Sequence, residues 1–391
     1  MIIKPKVRGF VCTTAHPEGC IAHVNEQIEY VKNNMPKGDG PKNVLVIGSS
    51  TGYGLASRIV SAFGYGAKTL GLFFEKEPTE NKTGTAGWYN NRGFEIAADK
   101  EGLWHKSING DAFSHQAKED AIKIIKEEMG KIDLVVYSLA SPRRQDPETG
   151  DVYKSVLKPI GEAVTEKTLN TDKGLVHDIS IDPASEDDIQ NTIKVMGGED
   201  WELWMKALDE AGVLADNVKT TAYTYIGKKL TWPIYGHATI GKAKEDLDRA
   251  SHAIHDMLQE KYNGTANIAV LKAVVTQASS AIPVMPLYIS LLYKVMKENG
   301  VHEGPIEQIR ELIVDQMFGD KAVYDDTRRF RVDLKELDDK IQEEVERLWD
   351  IATTENIDEI SDYKGYQHEF FKLFGFEVDG VDYDKDTNPI V

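Results

Sequence analysis

The amino-acid sequence predicts an α/β fold in which helices cover both faces of a doubly wound, mostly parallel sheet. Short apolar runs rich in β-branched residues alternate with amphipathic helical patterns along the middle of the chain. The first of these runs leads through a glycine-rich turn into a helical pattern, which is the usual start of a βαβ unit. The final third, from about Gln277, has mostly helical patterns. The sheet is therefore expected to carry surface insertions and a helical C-terminal extension.

Six runs are predicted to be the strands of this sheet, because each is short, rich in apolar or β-branched residues and followed by turn residues. In chain order they are Asn43–Ile47, Thr69–Glu75, His105–Gly110, Ile132–Ala140, Lys219–Gly227 and Ala266–Val275. The run from His105 is the weakest of the six. The stretch 117–130 places Ala121, Ile122 and Ile125 on one side and its charges on the other, as expected of a helix that covers the sheet.

The whole chain, residues 1–391, is predicted to form a single enlarged domain. Residues 43–276 would make the sheet core, and residues from about 143 to 217 would be a surface insertion covering one edge. Residues 277–391 would add helices and a C-terminal extension, whose acidic part KELDDKIQEEVERLWD is interpreted as a solvated helix face. No internal repeat, low-complexity segment or clear flexible linker divides the sequence.

Composition and charge exclude several classes of protein. With 391 residues, 41% of them hydrophobic, the chain can bury a sizeable core. Its formal net charge of -18 disfavours binding to nucleic acid or to an anionic lipid surface. The longest apolar run, Ile282–Leu292, has 11 residues, far fewer than the roughly 20 needed to cross a bilayer. The N-terminal residues lack the pattern of a secretory signal, so a cytoplasmic location is expected.

The two cysteines could form a disulfide or contribute to a metal site, and neither is favoured by the sequence. Cys12 and Cys20 bracket His16, but zinc would still lack a fourth ligand at a usual spacing. Two cysteines in so long a chain do not make a disulfide framework. We expect reduced cysteines and no metal.

The clearest motif is the run Val44–Ile59, VLVIGSSTGYGLASRI, in which a strand is followed by Gly48, Gly52 and Gly54 and then by a helix. Glycines there let the backbone turn sharply and approach a pyrophosphate, whose charge is met by amides at the helix N-terminus. The spacing G-x3-G-x-G resembles that of short-chain dehydrogenase/reductase proteins rather than the pattern G-x-G-x-x-G. A turn that serves only packing is the alternative. The motif predicts a Rossmann-like dinucleotide site.

Glu75 ends the second predicted strand, twenty-seven positions after Gly48. A carboxylate at this place accepts hydrogen bonds from the adenosine ribose hydroxyls and repels a 2′-phosphate. The sequence therefore predicts NADH in preference to NADPH, although the neighbouring Lys76 would soften the repulsion. The alternative is that Glu75 is a solvated carboxylate at a strand end.

The stretch YTYIGKKLTWPIYGHATIGKAK, from Tyr223 to Lys244, offers candidates for the chemistry of such a site. In reductases a tyrosine hydroxyl can donate to an oxygen that gains charge, while a nearby lysine holds the nicotinamide ribose. On one continuous helix Tyr235 and Lys244 would be about 900° apart, half a turn out of phase. The pair can converge only if Tyr235 precedes the helix. Thr239 is the predicted N-cap of that helix.

Helical periodicity does not choose between the two lysines that follow Tyr235. Lys244 lies about 90° and Lys242 about 110° from the centre of the apolar helix face, so both flank that face. Tyr223 and Tyr225 share one face of the fifth predicted strand, and Tyr225 is nearer its C-terminal end, where ligands of open α/β sheets bind. Packing with the hydroxyls at the surface is the alternative for each tyrosine.

These residues lie within a wider resemblance. The sequence closely resembles the FabV-type enoyl-acyl-carrier-protein reductases and the related trans-2-enoyl-CoA reductases, and the likeness runs nearly its whole length. The motifs that carry it are MIIKPKVRGF, AHPEGC, VLVIGSSTGYGLASR, GTAGWYNN, INGDAFS, YSLASPRR, VMGGEDW, LKAVVTQASSAIP, LYKVMKE and GFEVDGVDYD. The signature of the family is a Y-x8-K pair, which falls on Tyr235 and Lys244. The resemblance implies that Tyr235 is the proton donor and Lys244 the lysine on the cofactor side.

The resemblance also assigns binding residues. Tyr225 matches a tyrosine that contacts substrate, and the segment from Ser279 resembles the substrate-binding part of the family. Glu245 stands where some relatives carry a second lysine, which leaves a role for that position open. The cofactor-binding positions implied are Gly48, Ser49, Ser50, Thr51, Gly52, Tyr53, Phe74, Glu75, Asp111, Ala112, Leu139, Ala140, Lys244, Val274, Val275 and Thr276.

The function implied is the NADH-dependent reduction of the trans-2 double bond of an enoyl thioester, the last step of fatty acid elongation. The carrier, acyl carrier protein or CoA, stays open. Either is anionic and would favour a basic mouth, for which Arg143 with Arg144, or Lys228 with Lys229, are candidates. A monomer is expected, as for monomeric family members. The alternatives are a short-chain dehydrogenase acting on an alcohol or ketone, and a non-catalytic NAD-binding module.

Overall fold

Seven parallel strands make the central sheet of the computed structural model, which describes residues 1–9 and 11–391. Phe10, in the motif MIIKPKVRGF, lies outside the described residues. The described residues also contain strands of three small two-stranded sheets. In chain order, all the strands are β1 (Val7–Arg8), β2 (Val11–Cys12), β3 (Asn43–Ile47), β4 (Lys68–Phe73), β5 (His105–Asn109), β6 (Ile132–Tyr137), β7 (Arg143–Gln145), β8 (Val152–Lys154), β9 (Val164–Asn170), β10 (Leu175–Ile181), β11 (Leu214–Thr224), β12 (Thr265–Val270) and β13 (Phe330–Arg331).

The helices lie between and after these strands, and three of them, α2, α4 and α10, continue into a π-helical turn, at Val60–Gly64, Ile125–Met129 and Glu311–Met317. They are α1 (Pro17–Asn34), α2 (Gly52–Ile59), α3 (Ala86–Glu101), α4 (His115–Ile124), α5 (Glu186–Met196), α6 (Glu199–Glu210), α7 (Thr239–Tyr262), α8 (Gln277–Ser280), α9 (Met285–Glu298), α10 (Pro305–Arg310), α11 (Asp339–Ile351), α12 (Ile357–Ile360) and α13 (Tyr363–Lys372). None of the helices in the described residues is both long and apolar enough to cross a membrane.

The order of the sheet is β13-β12-β11-β6-β3-β4-β5, with every neighbouring pair parallel. The chain moves outward from β3 to β5 and then returns through β6 to the other side, which is a doubly wound topology. The predicted fold class is thus confirmed. All six predicted strands exist, and β3 has the predicted bounds. The two-residue β13 was not predicted, because so short a run has no period to detect.

Helices cover both faces of the sheet and bury them. On one face, side chains of α1, α2, α3 and α10 pack against Val44, Val46 and Val136. On the other, side chains of α4, α6 and α7 pack against Leu45 and Ile47. Alternate residues of β3 therefore serve opposite layers, as the period of a strand requires.

The region 143–217 differs in part from the surface insertion that the sequence suggested. It does contain two antiparallel hairpins, β7 with β8 and β9 with β10. Its helix α6, however, is a layer of the core, since Trp201 and Trp204 are both fully buried against the sheet. Indole Nε1 of Trp201 donates to Thr220 Oγ1 at 3.0 Å, and Nε1 of Trp204 donates to the Ala112 carbonyl at 3.1 Å. The amphipathic pattern of α6 is that of a crossover helix.

The C-terminal extension packs around α9. Leu287 and Leu291 of α9 are part of a hydrophobic cluster. Helices α11 and α13 add buried aromatic side chains to this cluster, namely Trp349, Tyr366 and Phe370. The acidic segment from Lys335 to Asp350 mostly presents its charges to solvent, but one of its carboxylates does not. The interpretation as a solvated face is wrong for Glu336, which is fully buried.

Candidate active site

A cleft of about 2020 Å³ opens at the carboxyl ends of the parallel strands. Its walls include residues that directly follow β3, β4, β5 and β6, and a later loop after β12. This is the edge at which open α/β sheets bind ligands. The volume exceeds the roughly 300–1,000 Å³ of a pocket for one small ligand. The cleft is large enough for a dinucleotide together with a second molecule.

The glycine turn after β3 forms one wall of the cleft. Gly48 has φ of 88°, and a Cβ there would lie 2.0 Å from the Ser138 carbonyl oxygen. A Cβ on Gly54 would lie 1.8 Å from the Gly48 carbonyl oxygen. Helix α2 then begins at Gly52, and the side chain of its N-cap Thr51 does not cap it. The bare turn and the helix N-terminus suit the diphosphate of a dinucleotide.

Glu75 lies two residues beyond β4, at the far end of the same wall. Ser50 Oγ donates to Glu75 Oε1 at 2.8 Å, so the turn and the carboxylate are in contact. Asn109 holds the backbone of Glu75 from both sides, accepting from its N–H at 2.9 Å and donating to its carbonyl at 3.0 Å. Phe74 is 76% exposed, and both it and Asp111 line the cleft. This arrangement fits an adenosine end.

Tyr235 lies in the loop between β11 and α7, as the phase argument requires. Its ring packs edge-to-face on Tyr225, with centroids 5.1 Å apart and an interplanar angle of 82°. Tyr235 is buried except for its side facing the cleft, and burial raises the pKa of its hydroxyl. The predicted N-cap is wrong by one residue. Ala238 holds that place, and Thr239 opens the helix with its hydroxyl donating to the Val156 carbonyl.

Lys244 and Lys242 have different surroundings in the structure. This difference distinguishes the two candidates for the lysine of the site, between which helical periodicity could not choose. Lys244 lines the cleft, and its Nζ donates to the Tyr223 carbonyl at 3.3 Å. Loss of hydration on burial lowers the pKa of Lys244 to about 8, while Asp248 acts weakly in the opposite direction. Lys242 is exposed and pairs with Glu245 at 2.7 Å. Only Lys244 faces the cleft that Tyr235 faces.

Most of the predicted site residues are brought together. Of the proposed set, those lining the cleft are Gly48, Ser50, Thr51, Gly52, Tyr53, Phe74, Glu75, Asp111, Ala112, Leu139, Ala140, Tyr235, Lys244, Val275 and Thr276. Three do not line it. Ser49 is buried with its hydroxyl donating to the Leu72 carbonyl at 3.3 Å, Val274 is buried, and Tyr225 lies behind Tyr235.

The sequence analysis did not predict the buried polar residues that lie behind the cleft. Lys272 is 2% exposed, and its Nζ donates to the Ala273 carbonyl at 2.8 Å. The backbone carbonyl of Lys272 accepts from the Tyr53 hydroxyl at 2.7 Å, which ties the glycine turn to the loop after β12. Glu336 lies on the other side of this loop. The available signal was a lone lysine inside an apolar strand pattern, since such a charge is rarely buried without partners.

Models of protein families match the chain in three consecutive parts. Residues 2–80 match the NAD(P)H binding domain of trans-2-enoyl-CoA reductase, and residues 82–318 match the trans-2-enoyl-CoA reductase catalytic region. Residues 324–387 match a model described as an enoyl reductase FAD binding domain.

Similar proteins cover the full length. The NADH-dependent enoyl-[acyl-carrier-protein] reductase of Pseudoalteromonas atlantica is 65% identical over 100% of this chain and 99% of its own length. That of Teredinibacter turnerae is 66% identical over 100% of this chain and 98% of its own. The crystal structure of Clostridium acetobutulicum trans-2-enoyl-CoA reductase in complex with NADH superposes with a TM-score of 0.97 at 44% identity, covering 100% of this chain and 98% of the other. That of the Treponema denticola enzyme with NAD gives 0.96 at 46% identity, covering 100% and 99%.

Residues 324–387 do not contain the glycine turn with which a strand–turn–helix unit would hold the diphosphate of a flavin dinucleotide. Within residues 324–387, all of which the structure describes, no strand leads through a glycine turn into a helix. Gly375, with φ of 74°, is packed against the backbone of Cys20, where an added Cβ would lie 2.4 Å from the amide nitrogen. The helices of this part instead bury their aromatic side chains around α9.

Proposed function

The chain belongs to the family of NADH-dependent enoyl-[acyl-carrier-protein] reductases and trans-2-enoyl-CoA reductases, and on that premise we propose that it reduces the trans-2 double bond of an enoyl thioester to the saturated acyl thioester with NADH. This reaction closes each round of fatty acid elongation. The observation that carries the proposal is that Tyr235 and Lys244 line the same cleft as the glycine turn.

Bound NADH would supply the hydride that is delivered to the β-carbon of the thioester. The turn from Gly48 to Tyr53 would hold its diphosphate, as the bare glycine backbone indicates. The other predicted cofactor-binding residues would contact the two ends of NADH, according to the strand or helix that carries them. The adenosine end would be contacted by Phe74, Glu75, Asp111 and Ala112. The nicotinamide end would be contacted by Leu139, Ala140, Lys244 and the loop Val274–Thr276.

Tyr235 is the hydrogen-bond and proton donor in this proposal. Burial keeps its hydroxyl protonated, because the raised pKa disfavours the phenolate. A protonated hydroxyl can donate to the thioester oxygen as negative charge gathers there, and the α-carbon then takes up a proton. One such preorganised donor is worth about 3–4 kcal/mol.

Lys244 places a positive charge beside this donor. With a pKa of about 8 its ammonium is mostly protonated at neutral pH. Its hydrogen bond to the Tyr223 carbonyl holds it at the carboxyl end of β11, where it can meet the nicotinamide ribose. Tyr225 would act behind Tyr235, and its role as a substrate contact would require movement of Tyr235.

NADH is preferred over NADPH in this proposal because Glu75 occupies the adenosine end. The carboxylate is held by Ser50, so it cannot swing away from a 2′-phosphate without breaking that hydrogen bond. Lys76, next to it, is exposed.

Acyl carrier protein and CoA both fit as carriers. Of the four basic residues predicted to attract an anionic carrier, one is both unburied and at the cleft. Arg143 is exposed and lines the cleft. Arg144 is buried and paired with Glu199 at 2.7 Å, while Lys228 and Lys229 pair with carboxylates of α11 at 2.7 and 3.1 Å. Arg143 is thus the residue that would meet an anionic carrier.

The wider organisation completes the proposal. Residues 43–276 hold the cofactor, residues 277–391 supply the substrate side and the extension, and all of them form one domain. The protein would act as a monomer, as the resemblance to monomeric family members implies. A cytoplasmic location stays a prediction.

One assay tests the proposed reaction against its rivals. Oxidation of NADH by the purified protein is followed by absorbance with a trans-2-enoyl-CoA, with a ketone, and with no second substrate. We expect turnover only with the enoyl thioester. Turnover with the ketone alone would indicate an alcohol dehydrogenase, and binding of NADH without any turnover would indicate a non-catalytic module.

A further inference from the structure

Glu336 is a carboxylate of the C-terminal extension with no exposed surface. Its Oε1 accepts from the Tyr225 hydroxyl at 3.0 Å and from the Tyr288 hydroxyl at 2.7 Å. Its Oε2 accepts from the backbone N–H of Ala273 at 2.6 Å. Tyr225 directly after β11, Tyr288 of α9 and Ala273 in the loop after β12 thus converge on one side chain of the C-terminal extension.

The donors around Glu336 are matched to an ionised carboxylate. The Tyr288 hydroxyl accepts from Gln342 Nε2 at 3.0 Å, so its own proton is available to Glu336. Gln342 also donates to the Glu336 carbonyl at 2.8 Å and thereby fixes the backbone of the segment. Burial raises the pKa of the Glu336 carboxyl, while the charge of the buried Lys272 and the hydrogen bonds that the carboxyl accepts from its donors act in the opposite direction. The ionised form therefore depends on these partners.

Two of the three contacts of Glu336 lead to residues that line the cleft. Tyr225, held by its hydroxyl, presents its ring to the edge-to-face contact with Tyr235. Ala273, held by its N–H, begins the segment that continues into Val275 and Thr276, which line the cleft. A side chain that holds both would set the position of the Tyr235 ring relative to the loop.

We propose that Glu336 is a positioning residue of the reductase, which aligns Tyr235 through Tyr225 and holds the loop Ala273–Thr276 through the Ala273 N–H. This proposal rests on the proposed function. It gives the C-terminal extension a part in catalysis that does not involve a cofactor of its own. Glu336 itself does not line the cleft and acts only through its partners.

The test is a double-mutant cycle with Glu336→Gln and Tyr225→Phe. Glu336→Gln keeps the shape of the side chain, but its amide NH₂ group cannot accept a hydrogen bond. At least one of the three donors that now bind the carboxylate would lose its acceptor. We expect it to lower kcat about tenfold or more, and Tyr225→Phe to lower kcat without raising KM for the enoyl thioester. If Glu336 acts through Tyr225, the double variant will be no slower than Glu336→Gln alone, within about twofold. Losses that multiply in the double variant would overturn the proposal.

A matched control is Asp333→Asn. Asp333 is a carboxylate three residues before Glu336, 1% exposed, and it pairs with Arg331 at 2.8 Å rather than with a residue that leads to the cleft. It should reduce thermal stability and leave kcat within about twofold of the wild type. An equal fall of kcat in both variants would indicate general destabilisation and would also overturn the proposal.

If Glu336→Gln does not fold, Tyr225→Phe alone decides. A raised KM for the thioester with unchanged kcat would make Tyr225 a substrate contact and contradict positioning. Failure of the proposed function looks different, because the wild-type protein would then show no enoyl reduction at all.

Discussion

The Nζ of Lys244 donates to the backbone carbonyl of Tyr223 at 3.3 Å, so the lysine of α7 is tethered to the carboxyl end of the neighbouring strand β11. The tether fixes the ammonium in a poorly hydrated place on the wall of the cleft, beside the loop that carries Tyr235. Because Tyr235 lies before α7, it and Lys244 can line the same cleft although they are nine positions apart.

Replacing Tyr235 with phenylalanine removes the donor and keeps the ring that packs on Tyr225. We expect kcat to fall about 10²–10³-fold, the usual effect of losing one preorganised donor. Binding of NADH, measured by its fluorescence, should be unchanged. Wild-type turnover in the folded variant would remove Tyr235 from the mechanism.

The two lysines of α7 offer a matched pair. Lys244→Met should weaken NADH binding and lower kcat at least tenfold, since the charge that faces the cleft is lost. Lys242→Met removes only an exposed pair with Glu245 and should leave both within about twofold. The reverse result, with Lys242 sensitive and Lys244 silent, would show that the wrong lysine is placed at the cofactor.

The pKa of Lys244, lowered to about 8 by loss of hydration, gives the reaction a pH dependence. The ammonium is charged below that pH and neutral above it. The activity at subsaturating NADH should therefore fall as pH rises through about 8. Lys244→Arg keeps the charge to much higher pH and should move this fall upward, whatever its own maximal rate. A basic limb that stays in place in the arginine variant would show that another group titrates.

Glu75→Ala is expected to raise turnover with NADPH relative to NADH, because a carboxylate that repels a 2′-phosphate is removed. The measurement is the ratio of kcat/KM for the two cofactors. Glu77→Ala is the control, since Glu77 also lines the cleft but lacks the contact with Ser50. A ratio that Glu75→Ala does not change would exclude Glu75 from cofactor choice.

Alanine substitutions at two glycines can distinguish the effect of backbone strain from the effect of a Cβ that collides inside the turn. Gly48 and Gly66 both have positive φ, 88° and 69°, but a Cβ on Gly66 meets no atom within 4 Å. Gly66→Ala should cost about 1–2 kcal/mol in the free energy of unfolding and preserve NADH binding. Gly48→Ala should abolish binding, because its Cβ collides with the Ser138 carbonyl. Normal binding by folded Gly48→Ala would contradict the role given to the turn.

Sequence patterns predicted what is local. The β-branched run at Asn43–Ile47 gave β3 with its bounds, and helical phase required Tyr235 to precede α7. The choice between Lys242 and Lys244 depends on what faces each side of α7, which periodicity along one helix does not contain. The burial of Glu336 depends on Tyr225, Tyr288 and Ala273, all far away along the chain. An acidic segment therefore appeared solvated throughout.

The proposed function requires that hydride passes from NADH to the β-carbon of an enoyl thioester in this cleft. The most direct measurement uses NADH deuterated at its transferable position, a trans-2-enoyl-CoA, and mass and NMR analysis of the product. We expect a saturated thioester that carries one deuterium at the β-carbon, with none formed by Tyr235→Phe on the same time scale. Deuterium at the α-carbon, reduction of the carbonyl instead of the double bond, or unlabelled product would contradict it.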